Sequence, residues 1–320
     1  MRWVKVGLTY VGAIMGAGFA SGQEIYQFFS RYGRWGTVGI LLAGILFFLI
    51  GWRALEQGRR HFGNPALGRG GLGGVTEGLT LAFLVVGLGV VVAGGAATMH
   101  QLIGVSLWLG SGLTLALILV VVFRGAQAVM WVNTVVVPYL MVLTVVVALV
   151  YVPRGTSLAP RSSATPHGWA LSALLYVSYN VFTAILVLFT LGRSLPSRRS
   201  SGLAALLGAI LLTGMAWLEH RVLLGLPVVG DLPLLDTARR IHPTLGILFG
   251  VSLWLALITT GVAEAFAFVQ RVGRGWGLGL IGVLPVTFFG FQGLVATLYP
   301  LMGGVAVMIW APLLKSVKHR

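Results

Sequence analysis

Ten apolar stretches follow one another along this 320-residue chain, and each is about as long as a membrane-crossing helix. A helix needs about 20 apolar residues to cross the hydrocarbon core of a bilayer. Gly, Pro and Arg residues separate the stretches, which are 4–30, 35–57, 75–103, 105–123, 125–151, 168–192, 200–223, 243–270, 275–291 and 292–314. The sequence therefore predicts an all-α polytopic membrane protein with about ten transmembrane helices.

The composition excludes a water-soluble globular protein. Hydrophobic residues make up 57% of the chain and charged residues 9%, whereas soluble domains carry about 25% charged residues. The formal charge of +15 would indicate nucleic-acid binding in a soluble protein. Here the basic residues lie between apolar runs, where they contact anionic headgroups. We therefore expect a lipid bilayer, and no nucleic acid, as the macromolecular partner; nothing in the sequence defines an oligomeric state.

The basic residues also predict an orientation. With ten spans both termini lie on one side, and 15 of the 22 Lys and Arg residues fall on that side. Cytoplasmic segments carry the excess of positive charge, so both termini are predicted to be cytoplasmic. The first apolar run contains Glu24 and no small-residue cleavage site, which favours a retained helix over a signal peptide.

The spacing of the spans indicates two halves. A shift of about 164 residues places 35–57 near the seventh span and 125–151 near the tenth. Because five is odd, the second half enters the membrane from the opposite side, as in the inverted repeats of secondary transporters. We predict a first repeat over 1–160 and a second over 161–320, in one integral membrane domain. The segment 224–242 is predicted to form a short re-entrant helix or lid.

The most informative stretch runs from Gly12 to Glu24 and carries four glycines, Ser21, Gln23 and a carboxylate in the first span. Each glycine destabilises a helix interior by about 1 kcal/mol relative to alanine. The stretch favours a broken helix whose carbonyls bind a cation and whose free N–H groups face an anionic group. The alternative is close helix packing, since Gly12 and Gly16 form a small-xxx-small motif.

In the predicted repeat, the sixth span is the counterpart of the first, and at the corresponding position it carries a polar and aromatic cluster, 175–183. An inverted repeat predicts that this span is interrupted too. Ser178 and Asn180 would then satisfy freed backbone groups, and Tyr176 and Tyr179 would form aromatic walls for a substrate. The alternative is an ordinary polar bundle interior.

The eighth span contains Thr259 and Thr260, followed one turn later by Glu264. Two adjacent hydroxyl oxygens, with backbone carbonyls, suit a hard cation such as sodium. Alternatively, each hydroxyl bonds the carbonyl one turn back. Glu24 and Glu264 are interpreted as the only carboxylates well inside spans, and such residues are candidates for gates, proton carriers or substrate countercharges. Structural pairing with an arginine or with backbone donors is the alternative.

Other chemistry has little support in the sequence. The chain has no cysteine and no histidine cluster with transition-metal spacing, and it lacks phosphate-loop, dinucleotide and nucleophile-elbow motifs. His100 and His220 are interpreted as interfacial residues. The two deep carboxylates are predicted to lie on opposite sides of the midplane, so we do not expect an enzyme.

The segments 12–29 and 176–180 resemble the YkvI-type bacterial membrane proteins of the amino acid–polyamine–organocation superfamily. The resemblance implies the LeuT fold, with two inverted five-helix repeats and interrupted helices 1 and 6, in a bacterial cytoplasmic membrane. It also implies a sodium site on helices 1 and 8. The matching positions are the carbonyls of Ile14, Gly16 and Ala17 and the hydroxyls of Thr259 and Thr260.

These observations predict a cation-coupled secondary transporter of a small amino acid or organic amine, with sodium favoured as the coupling ion. Glu24 lies where it disfavours a substrate carboxylate and favours an amine. Helices 3, 4, 8 and 9 are expected to form a scaffold against which the other helices rock. The predicted substrate or gate residues are Gly18, Ser21, Gln23, Glu24, Tyr176, Tyr179 and Asn180. One alternative is a proton-coupled carrier or exchanger in which Glu24 or Glu264 titrates, and another is a sensor of the same fold that binds a small molecule without transport.

Overall fold

The first predicted span is folded as three short helices. The computed structural model describes residues 2–60, 73–124, 127–151, 167–273 and 276–315. Within the first of these ranges the helices are α1 (Arg2–Ile14), α2 (Ala17–Ala20) and α3 (Gln23–Phe28). The glycine-rich stretch therefore does interrupt the helix, as predicted.

The remaining helices follow the predicted spans closely. They are α4 (Arg34–Arg60), α5 (Gly73–Ile103), α6 (Leu107–Arg124), α7 (Gln127–Val150), α8 (Trp169–Gly192), α9 (Arg198–Leu224), α10 (Pro233–Ile241), α11 (Pro243–Val272), α12 (Trp276–Ile281) and α13 (Gly290–Lys315). The ninth span is the short α12 followed by a 3-10 helix, Leu284–Phe289. Among the described residues, six helices are long and apolar enough to cross a membrane, and two more apolar helices are shorter.

Large apolar side chains lie exposed on the outer faces of these helices. Phe123 is 71% exposed, Val135 68% and Leu149 68%. A soluble protein rarely leaves contiguous apolar surface in water. The exposed faces are therefore suited to contact with lipid, and the all-α polytopic fold is confirmed.

The helices form two packed groups. One group contains α1, α4, α8 and α9, which pack on one another in sequence-distant pairs. The other contains α5, α6, α11 and the 3-10 helix at 284–289. The second group corresponds to the predicted scaffold of helices 3, 4, 8 and 9. α2 contacts α5 and α11, so the interruption of the first span lies where the two groups meet.

The predicted interruption of the sixth span is wrong. α8 is a continuous helix from Trp169 to Gly192. Its polar residues bond backbone carbonyls one turn back: Ser178 Oγ donates to Leu174 O and Asn180 Nδ2 donates to Tyr176 O. These side chains are satisfied within a regular helix and do not require a break.

Two other predictions concern arrangements that this structure does not test. The division into repeats at 1–160 and 161–320, and the cytoplasmic location of both termini, stay predictions. The segment 224–242 does contain a short helix, α10, which begins with Pro233 at a position where proline is favourable.

Candidate functional site

The interruption of the first span is held by backbone turns and by α10. The Gly16 N–H donates to Ile14 O at 2.7 Å and closes a tight turn between α1 and α2. A second turn follows α2, where Gly22 has a φ of 82°, a left-handed conformation that glycine adopts without a Cβ penalty. The Leu234 N–H of α10 donates to Ser21 O at 3.1 Å, so α10 fixes this turn.

Glu24 folds back onto the interruption. Its carboxylate lies against the Cα of Gly18, in the space that a side chain at position 18 would fill. Glu24 is only 3% exposed, and its Oε2 has no hydrogen-bond partner among the described residues. The carboxylate is therefore buried at the junction between α2 and α3.

An aromatic cluster from α3 and α8 surrounds this carboxylate. The Tyr179 hydroxyl hydrogen-bonds Glu24. The Tyr179 ring stacks on Phe28, with centroids 5.9 Å apart, and contacts the ring of Tyr299 at 4.7 Å. Tyr176 packs edge-on against Phe29 at 4.9 Å, and its hydroxyl is buried with no partner among the described residues. The predicted Glu24, Tyr176 and Tyr179 are thus brought together.

The other predicted substrate residues have different environments. Ser21 Oγ donates to Gly18 O at 2.7 Å and accepts from the Gln23 N–H, so it stabilises the turn. Gln23 is fully buried, and neither polar atom of its amide has a partner among the described residues. Asn180 already bonds its own helix. Among Ser21, Gln23 and Asn180, it is therefore Gln23 whose side chain is available to bind a ligand.

The predicted cation ligands lie on α11 and around the start of α2, and these two helices pack against each other. Thr259 Oγ1 and Thr260 Oγ1 both donate to Ala256 O at 2.9 Å. The back-bonding alternative is therefore present at both threonines. α2, which begins at Ala17, packs against α11. Ile14 O and Gly16 O each accept one backbone bond within the interruption.

Glu264 lies on the scaffold side. Its carboxylate packs against the Cα of Gly87 in α5, and its Oε2 has no partner in the described part of the chain. The buried Tyr299 of α13 lies within electrostatic range of both Glu24 and Glu264. The two carboxylates thus lie on different helices, and Tyr299 packs on the Tyr179 ring beside Glu24.

Glu219 is not predicted as a deep carboxylate from the sequence, because it lies near the end of its span. The interpretation that Glu24 and Glu264 are the only deep carboxylates is wrong, since Glu219 of α9 is 0% exposed. The signal that could have found it is the mixed segment Glu219–His220–Arg221 inside an otherwise apolar helix. His220 is likewise buried and not interfacial: its ring bonds Ser30 Oγ at 2.8 Å and Thr37 Oγ1 at 3.1 Å. It is a structural link between α9 and α4.

An interrupted first helix between two packed helix groups defines the class of this protein as a polytopic α-helical membrane protein. Its similarity to solved structures gives it the LeuT fold. Whole-length similarity then relates it to particular proteins. The sequence is 26% identical over 335 residues to the uncharacterized membrane protein YkvI of Bacillus subtilis (strain 168), covering 99% of this chain and 96% of YkvI. It is 23% identical to YyaD of the same organism, covering 95% and 92%. This confirms the resemblance to YkvI-type proteins, although no protein-family model matches the chain.

Solved structures share the fold. The inward-facing conformation of Mhp1 superposes with a TM-score of 0.64 and 16% identity, covering 98% of this chain and 74% of Mhp1. The TM-score is 0.63 for a closed conformation of Mhp1 with bromovinylhydantoin bound, and Mhp1 is a nucleobase-cation-symport-1 family transporter. A mutant manganese transporter of Eremococcus coleocola gives 0.60 at 13% identity, covering 98% and 78%. These similar structures are transporters, and at this identity they establish the fold of the present chain.

Proposed function

We propose that this protein is a secondary transporter that moves a small amino acid or organic amine across the membrane by alternating access, coupled to a cation. The observation that carries the proposal is the buried carboxylate of Glu24, folded over the interruption at Gly18. An ionised carboxylate in an apolar interior is costly unless a positive charge neutralises it. An amine bound at the interruption supplies that charge.

The two helix groups provide the moving parts. The interruption in the first span follows α1, which packs in the first helix group, and α2 contacts α5 and α11 of the scaffold group. Rocking of one group against the other changes the side from which this contact is reached, as in other transporters built around discontinuous helices. α10 lies over the interruption and holds it through Ser21.

Sodium is the proposed coupling ion. The hydroxyls of Thr259 and Thr260, with the carbonyls of Ile14, Gly16 and Ala17, would hold it. The donor set suits a hard cation, because all five proposed ligands are oxygens. The ion would supply positive charge that orders the interrupted segment against α11.

Proton coupling is the second candidate, and a specific observation favours it. Glu24 is buried, and Glu264 is half-buried with its Oε2 atom enclosed. Neither has an ion-pair partner among the described residues, where the ion pairs involve Glu56 and Glu77. Tyr179 hydrogen-bonds Glu24, and its ring contacts that of Tyr299. A proton on either carboxylate would neutralise it in the same way as a bound cation.

Uptake into proteoliposomes tests the proposal. Pooled labelled amino acids and primary amines are offered under an inward sodium gradient, an inward proton gradient, or no gradient. Accumulation under the sodium gradient supports the sodium proposal, and accumulation under the proton gradient alone replaces it with proton coupling. Glu24→Gln should abolish accumulation, whereas Glu77→Gln, at an exposed position, should retain it. Ligand binding without flux would overturn the transporter in favour of a sensor.

A further inference from the structure

A second buried carboxylate lies close to Glu24. Glu219 is fully buried, and neither of its oxygens has a partner among the described residues. Its helix, α9, packs against α3, which carries Glu24. The two carboxylates lie within electrostatic range of each other. Two carboxyl groups are therefore buried on helices that pack against each other.

The protein itself supplies no countercharge to this pair in the described ranges. The ion pairs found there are Arg59 and Arg60 with Glu56, and Arg271 with Glu77. Two buried carboxylates repel each other and lose their hydration, so they must be neutralised, either by protons or by a bound cation. A cationic ligand meets that requirement.

The unpartnered atoms around the pair have the chemistry of an ammonium site. Glu24 Oε2, both Glu219 oxygens and the Tyr176 hydroxyl are buried and without partners among the described residues. The Tyr176 ring contacts Phe28 and Phe29 at the end of the helix that carries Glu24. Phe29 and Tyr176 line one small cavity together with Ala216, which lies one turn before Glu219. An ammonium group has three N–H donors and no acceptor, which matches a set of carboxylate and phenol oxygens.

The surroundings favour an organic cation over a metal ion. The rings of Phe28 and Phe29 pack against Tyr176 at 5.3 and 4.9 Å and present aromatic surface to this space. Aromatic faces attract ammonium groups and cover the carbon chains attached to them. In the part of the chain that the structure describes, no group of three or more His, Cys, Asp or Glu side chains could hold a metal ion.

We infer that Glu24 and Glu219 together bind the ammonium group of the transported solute, with the Tyr176 hydroxyl as a further acceptor. The inference rests on the proposed function, because it assigns the substrate class of the same site. Two carboxylates carry two negative charges, so a diamine neutralises the pair more completely than a monoamine and binds more tightly. A solute carboxylate is repelled.

Binding to the purified full chain in detergent tests this inference independently of flux. Isothermal titration uses 1,4-diaminobutane, butylamine, tetramethylammonium chloride and manganese chloride as probes. We expect 1,4-diaminobutane to bind most tightly, butylamine more weakly, and tetramethylammonium at least about tenfold more weakly than butylamine because it has no N–H donor. Binding of manganese without binding of either amine would overturn the inference.

Matched variants assign the binding to the pair. Glu219→Gln should weaken 1,4-diaminobutane binding by at least about tenfold, and Glu77→Gln should leave it unchanged. Tyr176→Phe keeps the ring and removes only the unpartnered hydroxyl, so it tests the site if Glu219→Gln does not fold; a loss of severalfold is expected. Unchanged affinity in the variant that folds would overturn the inference.

The two proposals fail in different ways. Amine binding that depends on Glu219 but gives no flux would overturn the transporter and leave this inference standing. Amine flux that is unchanged by Glu219→Gln would support the transporter and overturn the inference about Glu219.

Discussion

The carboxylate of Glu24 lies directly against the Cα of Gly18, six residues earlier in the same interrupted helix. The contact requires two turns, one closed by Gly16 and one by Gly22, to reverse the chain over four residues of helix. It also requires the absence of a side chain at position 18. The site thus depends on glycine for space as well as for backbone conformation.

Gly18→Ala tests this relationship. The added Cβ would displace the Glu24 carboxylate, so amine binding should fall by about tenfold or more while the protein stays folded. Gly12→Ala is the matched control, because a Cβ there meets no atom within 4 Å and alanine favours a helix by about 1 kcal/mol. Titration with butylamine measures both variants. Equal affinity in Gly18→Ala and the wild type would contradict the prediction.

The sodium proposal predicts a specific loss in the double variant Thr259→Ala/Thr260→Ala. Removing both hydroxyls should abolish stimulation of uptake by sodium and leave binding of the amine measurable. Thr297→Ala is the control, since Thr297 makes the same bond to a carbonyl one turn back but is exposed. Sodium-stimulated uptake that survives in the double variant would exclude this site.

The proton candidate predicts that Tyr299→Phe uncouples transport from protons. The variant removes the hydroxyl of a ring that contacts Tyr179, the tyrosine that hydrogen-bonds Glu24. Proton-driven uptake should fall by about tenfold, while butylamine binding changes little. A pH-sensitive dye inside the vesicles measures the proton flux. Tyr139→Phe, at a 42% exposed position, should behave as wild type. If Tyr299→Phe also transports protons as the wild type does, the proton-coupling candidate is wrong.

Asp231 anchors the start of α13. Its Oδ1 accepts a hydrogen bond from the Gln292 N–H at 3.1 Å, in the first turn of that helix. Asp231→Ala leaves this N–H without its acceptor and should lower the free energy of unfolding by about 1 kcal/mol. Asp231→Asn keeps an acceptor oxygen and should lose less. Melting curves in detergent distinguish the two, and equal losses would show that charge, not the hydrogen bond, stabilises this end.

Asp236, which lies outside the membrane spans, should make the stability of the fold depend on pH. Burial raises the pKa of its carboxyl above the ordinary value of 3.8, against a smaller opposing effect of Arg240 and Arg239. The protonated form is therefore favoured by folding, and its contribution to stability is present below about pH 3.8 and lost as the pH rises through the raised pKa. Asp236→Asn should flatten that part of the profile of melting temperature against pH. Glu77→Gln, which removes one carboxylate at an exposed position, is the control, and an unaltered slope in Asp236→Asn would count against the assignment.

The apolar stretches alone determined the helical fold, because length and hydropathy decide what can cross a bilayer and backbone groups in lipid must bond within their own helix. The same local reasoning located the interruption, since four glycines between residues 12 and 22 destabilise a helix wherever it packs. Local sequence was misleading for 175–183, where Ser178 and Asn180 bond carbonyls of their own helix and leave α8 continuous.

Tertiary structure decided which polar groups share a site. Glu219 is separated from Glu24 by almost two hundred residues, and only the packing of α9 on α3 brings its carboxylate to that site. The burial of His220 against Ser30 and Thr37 has the same origin. Hydropathy records whether a residue lies within a membrane span, whereas the helix face it occupies and the partner it meets depend on packing between distant helices.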